Sequence, residues 1–159
     1  MHHHGYLWVG PKSRFDDEAL RRPPHPDPPP APGGPQDVAA ERLLHRYREV
    51  AAGFPTSDLP PLETAYWLLK PRALVRGTWA EPGGAITWLG SQLRAHAPRF
   101  TTPCASDDLT ARLACAAARL SWGGDVSLGL YLERPAFLSL ALVTCSPHRG
   151  RPELPCPSG

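Results

Sequence analysis

The residues best suited to nucleophilic chemistry lie together near the end of the chain, in Cys145-Ser146-Pro147-His148. A thiol paired with an imidazole can form a thiolate nucleophile. Asp125 follows two glycines and precedes an apolar run, where both catalytic and ordinary turn carboxylates occur. Neighbours at a strand end seldom point at each other, however, and no G-x-S-x-G motif is present. The sequence therefore predicts no catalytic residues, and an enzyme built on Asp125, Cys145 and His148 is an alternative hypothesis.

The four cysteines show no metal-binding spacing, because the chain has no C-x-x-C pair. Cys115 and Cys145 lie in apolar sequence, which predicts small core residues. Cys156 lies in a proline-rich tail, which predicts an exposed and inert thiol. Cys104 precedes a predicted helix and has no assigned role.

Three consecutive histidines, His2, His3 and His4, follow the first residue. They are either a native start or the remnant of a purification tag. Consecutive residues on a flexible terminus would not converge on one ion with a fixed geometry. The sequence therefore predicts no metal site and no cofactor.

Tryptophans and arginines supply the candidate binding residues. Five tryptophans in 159 residues would suit a ligand pocket or a peptide groove, although they also suit the boundary of a small core. A basic helix face could contact phosphate, but Glu41 and Glu49 dilute its charge. The candidate binding residues are Trp8, Trp79, Trp88, Trp122, Asp125, Arg42 and Arg46.

The element that must position the C-terminal candidates is a β-hairpin over about residues 126–145. In 126–133 apolar residues alternate with others, which indicates a strand with one buried face. In 137–145 both faces are apolar, which indicates a central strand. Pro135 suits the second position of a type I turn, so a turn is predicted at Arg134-Pro135-Ala136-Phe137.

The same stretch has a competing interpretation as a membrane span of twenty residues. Glu133, Arg134 and Pro135 would then lie at its centre, where charge is most costly and a helix would kink. Each half alone is too short for a helical span. A buried hairpin is therefore favoured, and a membrane role is not expected.

The rest of the chain predicts a strand at Tyr6–Val9 beside the hairpin, within an N-terminal segment 1–10 that joins the domain. Residues 11–36, with the proline-rich stretch 22–36, predict an irregular loop, with a docking ligand for an aromatic groove as the alternative. Residues 37–147 predict the α+β core, and residues 148–159 a flexible tail. The core would contain helices over 37–52, 62–69, 85–97 and 107–122, and a strand over 72–80.

Composition limits the classes of function. With 17 basic and 15 acidic residues the net charge is only +2, which disfavours a general attraction to nucleic acid or membranes. Abundant proline and alanine, with only Lys12 and Lys70 as lysines, suggest a GC-rich genome such as an actinobacterium's. No signal peptide is apparent, which predicts a cytoplasmic protein with reduced thiols.

We therefore predict a small soluble α+β accessory protein that binds an unknown protein partner. Its three- to four-stranded sheet would pack against about four helices. The first alternative is a regulator that contacts nucleic acid through Arg42, Arg46, Arg48, Arg72 and Arg76. The second is an enzyme or small-ligand binder with an unrecognised site.

Overall fold

A computed structural model of the protein describes residues 1–102 and 106–158, so Cys104 lies outside the described residues. The fold centres on one antiparallel sheet in the order β2-β1-β4-β3. These strands and the helices beside them confirm the predicted α+β class. The strands are β1 (His2–Pro11), β2 (Val75–Trp79), β3 (Val126–Tyr131) and β4 (Ala136–Cys145).

β1 and β4 form the centre of the sheet and pair along their whole lengths. His2 lies opposite Cys145 at one end, and Pro11 lies opposite Ala136 at the other. The N-terminal strand thus lies beside the hairpin, as predicted, but it is longer than Tyr6–Val9 and begins at the histidines. β4 is buried on both faces because other elements cover both sides of the sheet, as its continuous apolar sequence indicates.

The hairpin turn begins one residue earlier than predicted. The backbone N–H of Ala136 donates to the carbonyl oxygen of Glu133 over 2.8 Å, so Pro135 occupies the third position of the turn. The Arg134–Pro135 peptide bond is cis, which is the arrangement of a type VI turn rather than type I.

Five α-helices occur in the described residues, and only three are long. They are α1 (Lys12–Phe15), α2 (Glu18–Arg21), α3 (Val38–Gly53), α4 (Pro82–His96) and α5 (Ser106–Ser121). The two short helices lie in the segment 11–36 that was predicted to be irregular throughout. Arg21 stabilises this region, because its buried guanidinium donates to the carbonyl oxygens of Pro60 and Phe15, each over 2.8 Å. Residues 22–36 form neither helix nor strand.

α3 begins as predicted, because the Asp37 side chain accepts a hydrogen bond from the Ala40 N–H. No residue of α3 is buried, however. Among the long helices, α4 and α5 therefore supply the buried residues that cover one face of the sheet.

Two predicted elements have shorter forms than expected. The helix over 62–69 is a 3₁₀ helix, Thr64–Leu69, and the strand over 72–80 is a 3₁₀ turn, Arg72–Leu74, followed by β2. Pro71 lies between the two 3₁₀ segments, and Lys70 before it has the extended backbone that a residue preceding proline favours.

The sheet divides the interior into two cores. On one face, Leu89 of α4 and Leu120 of α5 pack against Leu138, Leu140 and Leu142 of β4. On the opposite face, Tyr6 stacks on Trp67 with ring centroids 4.7 Å apart, beside Val143 and Cys145. This second face carries the candidate site, and we call it the 3₁₀ face.

The tail predicted to be flexible packs against the 3₁₀ face. Arg151 forms an ion pair with Glu63 at 3.0 Å, and Leu154 contacts the second core. His148 is only 8 % exposed.

Among the residues that the structure describes, no helix combines the length and the apolar character needed to cross a bilayer.

Candidate metal centre

His2 and His4 lie on the same face of the sheet because side chains alternate along a strand. They project onto the 3₁₀ face, and their rings meet edge to face with centroids 4.7 Å apart. His3 projects onto the other face. The terminus is therefore an ordered strand rather than a flexible segment, and this difference brings two imidazoles together.

Two cysteines complete the group. Cys145 lies opposite His2 in the strand pairing and is 1 % exposed. Cys156 is half-buried and is brought to the same place by the tail. The four potential ligand atoms, two imidazole nitrogens and two thiol sulfurs, all lie within 4.8 Å of one another.

The distances within this group approach those of a tetrahedral metal site. Nε2 of His2 lies 3.1 Å from Sγ of Cys156 and 3.2 Å from Sγ of Cys145. Nε2 of His4 lies 3.2 Å from Sγ of Cys145 and 3.6 Å from Sγ of Cys156. Zinc bonds of about 2.3 Å to sulfur and about 2.0 Å to nitrogen place a tetrahedral N···S pair about 3.5 Å apart. These four N···S pairs are therefore within a few tenths of an ångström of the spacing in a tetrahedral zinc site.

The ionisation states suit a metal that displaces protons. Burial, followed by the neighbouring His2 and His3, lowers the pKa of His4 to about 4, so His4 is neutral near pH 7. Burial also raises the pKa of the Cys145 thiol, and its hydrogen bond with Cys156 acts in the same direction. A divalent cation would bind the imidazole nitrogens directly and would replace the thiol protons.

A second layer of contacts orients His4. Its Nδ1 atom lies 2.8 Å from Oγ1 of Thr78, on the neighbouring strand β2. A metal bond at Nε2 requires the proton to be on Nδ1, from which it donates to the Thr78 hydroxyl. Such partners fix the orientation and tautomer of histidine ligands.

Two of the three residues of the enzyme hypothesis, Asp125 and His148, form a separate group at the same end of the sheet. Asp125 accepts a hydrogen bond from the Thr144 N–H over 3.0 Å, and its other carboxylate oxygen lies 2.9 Å from Nε2 of His148. Nδ1 of His3 lies 2.8 Å from Oγ1 of Thr144. Asp125 and His148 thus meet each other, whereas Cys145 contacts His2, His4 and Cys156 on the 3₁₀ face.

The predicted tryptophans are not brought to one site. Trp8 is 4 % exposed in the core of the 3₁₀ face. Trp79 and Trp88 pack together on the other face, with ring centroids 5.5 Å apart. Trp122 is 56 % exposed and lies beneath the guanidinium of Arg149.

The predicted arginine candidates are exposed and lie apart from the histidine–cysteine group. Arg42 and Arg46 lie on α3, and Arg46 also lines a groove between α3 and the proline-rich segment. Arg48 is exposed on the same helix, and Arg72 and Arg76 are exposed in the segment that leads through β2.

Two predictions about the cysteines are wrong. Cys115 is exposed on α5 rather than buried, because only the Ala116 and Leu120 side of that helix turns inward. Cys156 is not an exposed thiol, because the tail folds back over the sheet. The prediction for Cys145 is confirmed.

Searches for a matching protein-family model, a similar curated protein and a similar solved structure all returned no match for this chain.

Proposed function

We propose that the protein binds one zinc ion through His2, His4, Cys145 and Cys156. The observation that carries the proposal is the meeting of two imidazole nitrogens and two thiol sulfurs within 4.8 Å at the end of the central strand pair. A tetrahedral set of two nitrogens and two sulfurs suits zinc better than the oxygen-preferring magnesium or calcium.

The donor set favours a structural role for the ion. Four protein ligands would fill a tetrahedral site and leave no position for substrate or activated water. Two thiolates would neutralise the charge of Zn²⁺, so that no net charge is buried. The ion would link the start of β1 to the end of β4 and to the C-terminal tail, and so would hold opposite ends of the sequence together.

Metal analysis of the full chain, made with no added histidine tag, tests the proposal. We expect one zinc per chain and, after replacement by cobalt, the absorption of tetrahedral Co²⁺ with thiolate ligands. Cys156→Ser should abolish the Co²⁺ absorption that is due to two thiolate ligands, and it should weaken zinc binding strongly. His4→Gln should also weaken zinc binding strongly, but both cysteine thiols remain in that variant.

Two variants provide matched controls. Cys115→Ser removes an exposed thiol outside the group, and His3→Gln removes the histidine that projects onto the other face of the sheet. Both should retain one zinc per chain. Equal loss of zinc in these controls, or no zinc in the unaltered protein, would contradict the proposal.

Protein binding, the role expected from the sequence, is a second candidate function. It is supported by a groove of about 500 Å³ between the proline-rich segment and α3, which includes Pro23, Leu43 and Tyr47. Leu43 is 56 % exposed, and Val38 on the same helix is 49 % exposed. Exposed apolar side chains beside a rigid proline segment are typical of interaction surfaces.

A photocrosslinking amino acid at position 43 would test this candidate in cell extract. We expect a defined crosslinked partner that does not appear when the same group replaces Thr87, an exposed residue of α4. The same background from both positions would argue against a partner at this groove.

A further inference from the structure

The outer edge of β3 carries backbone groups that a further strand could use. β3 is the last strand of the sheet, and β4 pairs with only one of its sides. Arg99 and Thr101 already pair with the far end of this edge, since the carbonyl oxygen of Tyr131 accepts a hydrogen bond from Thr101 N–H over 3.1 Å. Ser127 and Gly129 have the same outward backbone direction as Tyr131, because the direction alternates along an antiparallel strand.

A groove runs beside this part of the edge, between β3 and α5. It has a volume of about 390 Å³. Ser127 and Leu128 form its strand side, and Ala111, Cys115 and Ala116 contribute to its helix side. The small side chains of α5 leave room for an extended backbone against β3.

The charge at the groove favours an acidic occupant. Arg112 and Arg119 lie along its helix side, and Asp108 is the acidic residue there. Among the described side chains, which exclude that of Asp107, neither arginine forms an ion pair. The two are two helical turns apart, about 10 Å along α5, which is within reach of carboxylates on one face of an extended peptide.

We propose that an acidic, extended segment of a partner protein adds to the edge of β3 as a fifth strand, with its carboxylates directed at Arg112 and Arg119. The backbone groups of Ser127 and Gly129 would supply the strand pairing. A second copy of the chain suits this edge less well. Antiparallel pairing of two β3 strands would place both α5 helices on one face of the joined sheet, with their arginines facing each other.

A labelled peptide of alternating valine and glutamate, about six residues long as is usual for a strand, is the probe. Fluorescence anisotropy with the full chain should show binding, whereas the matched valine–lysine peptide should not bind. Arg112→Glu combined with Arg119→Glu should weaken binding at least about tenfold. Arg42→Glu combined with Arg48→Glu on α3 provides a charge-matched control that should bind normally.

Two further measurements distinguish strand addition from general charge attraction. N-methylation of alternate peptide bonds in the probe should abolish binding, because it removes the donors needed for pairing. Bound peptide should also slow alkylation of Cys115, which lines the groove. Binding that survives N-methylation or the Arg112 and Arg119 changes would overturn the proposal.

Self-association through β3 is the competing occupant. Sedimentation that shows a dimer of the full chain, lost on reversal of Arg112 and Arg119, would assign the edge to a second copy and reject the acidic partner. This inference does not depend on the metal centre, because the groove and the zinc ligands share no residue. Far-ultraviolet circular dichroism of each variant, measured in parallel, shows whether the fold is retained.

Discussion

The Nδ1 atom of His4 lies 2.8 Å from the hydroxyl oxygen of Thr78, across the pairing of β1 and β2. This contact leaves Nε2 directed at Cys145, 3.2 Å away. Thr78 thus connects an edge strand to the candidate metal centre without being a ligand itself. A change at Thr78 can therefore alter the orientation of the His4 ring without removing any ligand.

We expect Thr78→Val to weaken zinc binding about 10- to 100-fold, because loss of a histidine's outer partner has that effect in other zinc sites. The variant keeps the shape of the side chain and all four ligands. Competition with a zinc chelator would measure the change. Thr87→Val, which removes a hydroxyl bonded only within α4, should leave the affinity unchanged, and equal loss in both variants would contradict an orienting role.

Zinc binding should release protons, because the two thiols become thiolates. Calorimetry in buffers of different ionisation enthalpy should give about two protons per zinc near neutral pH. Affinity should fall as the pH falls, since protons compete for the sulfurs and burial raises the pKa of Cys145. Cys156→Ser should reduce the release to about one proton, and release that is unchanged in this variant would exclude Cys156 as a thiolate ligand.

The sheet could be predicted largely from the sequence, because its signals are local. Alternation in 126–133 and continuous apolar residues in 137–145 predicted β3 and β4. The start of α3 is also a local signal, because the Asp37 side chain caps the helix through the N–H of Ala40, three residues further along the chain. The sequence of α3 predicts a helix but does not show that none of its residues is buried, because burial depends on which elements pack against the helix.

The candidate metal centre could not be predicted from the sequence because it depends on the strand register. Consecutive histidines have no recognised metal-binding spacing, but alternation in a strand removes His3 from the group and keeps His2 and His4. The pairing of His2 with Cys145 then joins residues at opposite ends of the chain. A histidine–x–histidine pattern before an aromatic strand was the available signal. The position of Cys156 depends on a tail with no periodic sequence.

Lys70 provides a pH test of a buried ammonium group beside Phe54. It is 4 % exposed, and its ammonium donates to the carbonyl oxygen of Phe54 over 2.7 Å. Burial lowers its pKa to about 8. Between about pH 8 and 10.5 the unfolded chain therefore holds a proton that the folded protein has lost, so the contribution of Lys70 to the free energy of unfolding should rise with pH.

The difference in unfolding free energy between the natural protein and Lys70→Met should increase by at most about 3 kcal/mol across this range. Taking the difference cancels the other groups that titrate at alkaline pH. Lys12 is the control, because its hydrogen bond to Asp16 raises its pKa, so Lys12→Met should give a difference that is flat or falls. Urea unfolding at several pH values measures both, and a flat difference for Lys70 would show that its ammonium is well solvated.

Oxidation should remove the zinc if both thiols bind it. Hydrogen peroxide takes two electrons from the thiolates of Cys145 and Cys156, which form one sulfur–sulfur bond, while the peroxide takes up two protons and becomes two waters. The ion leaves because its two sulfur ligands are consumed. In a protein with Cys104→Ser and Cys115→Ser, a zinc-sensitive dye should report one ion released for each disulfide found by mass spectrometry. A thiol reductant should restore binding, because the reaction stops before irreversible oxidation. Release accompanied by sulfinic acid on Cys145, with no disulfide, would show that the two sulfurs do not share one ion.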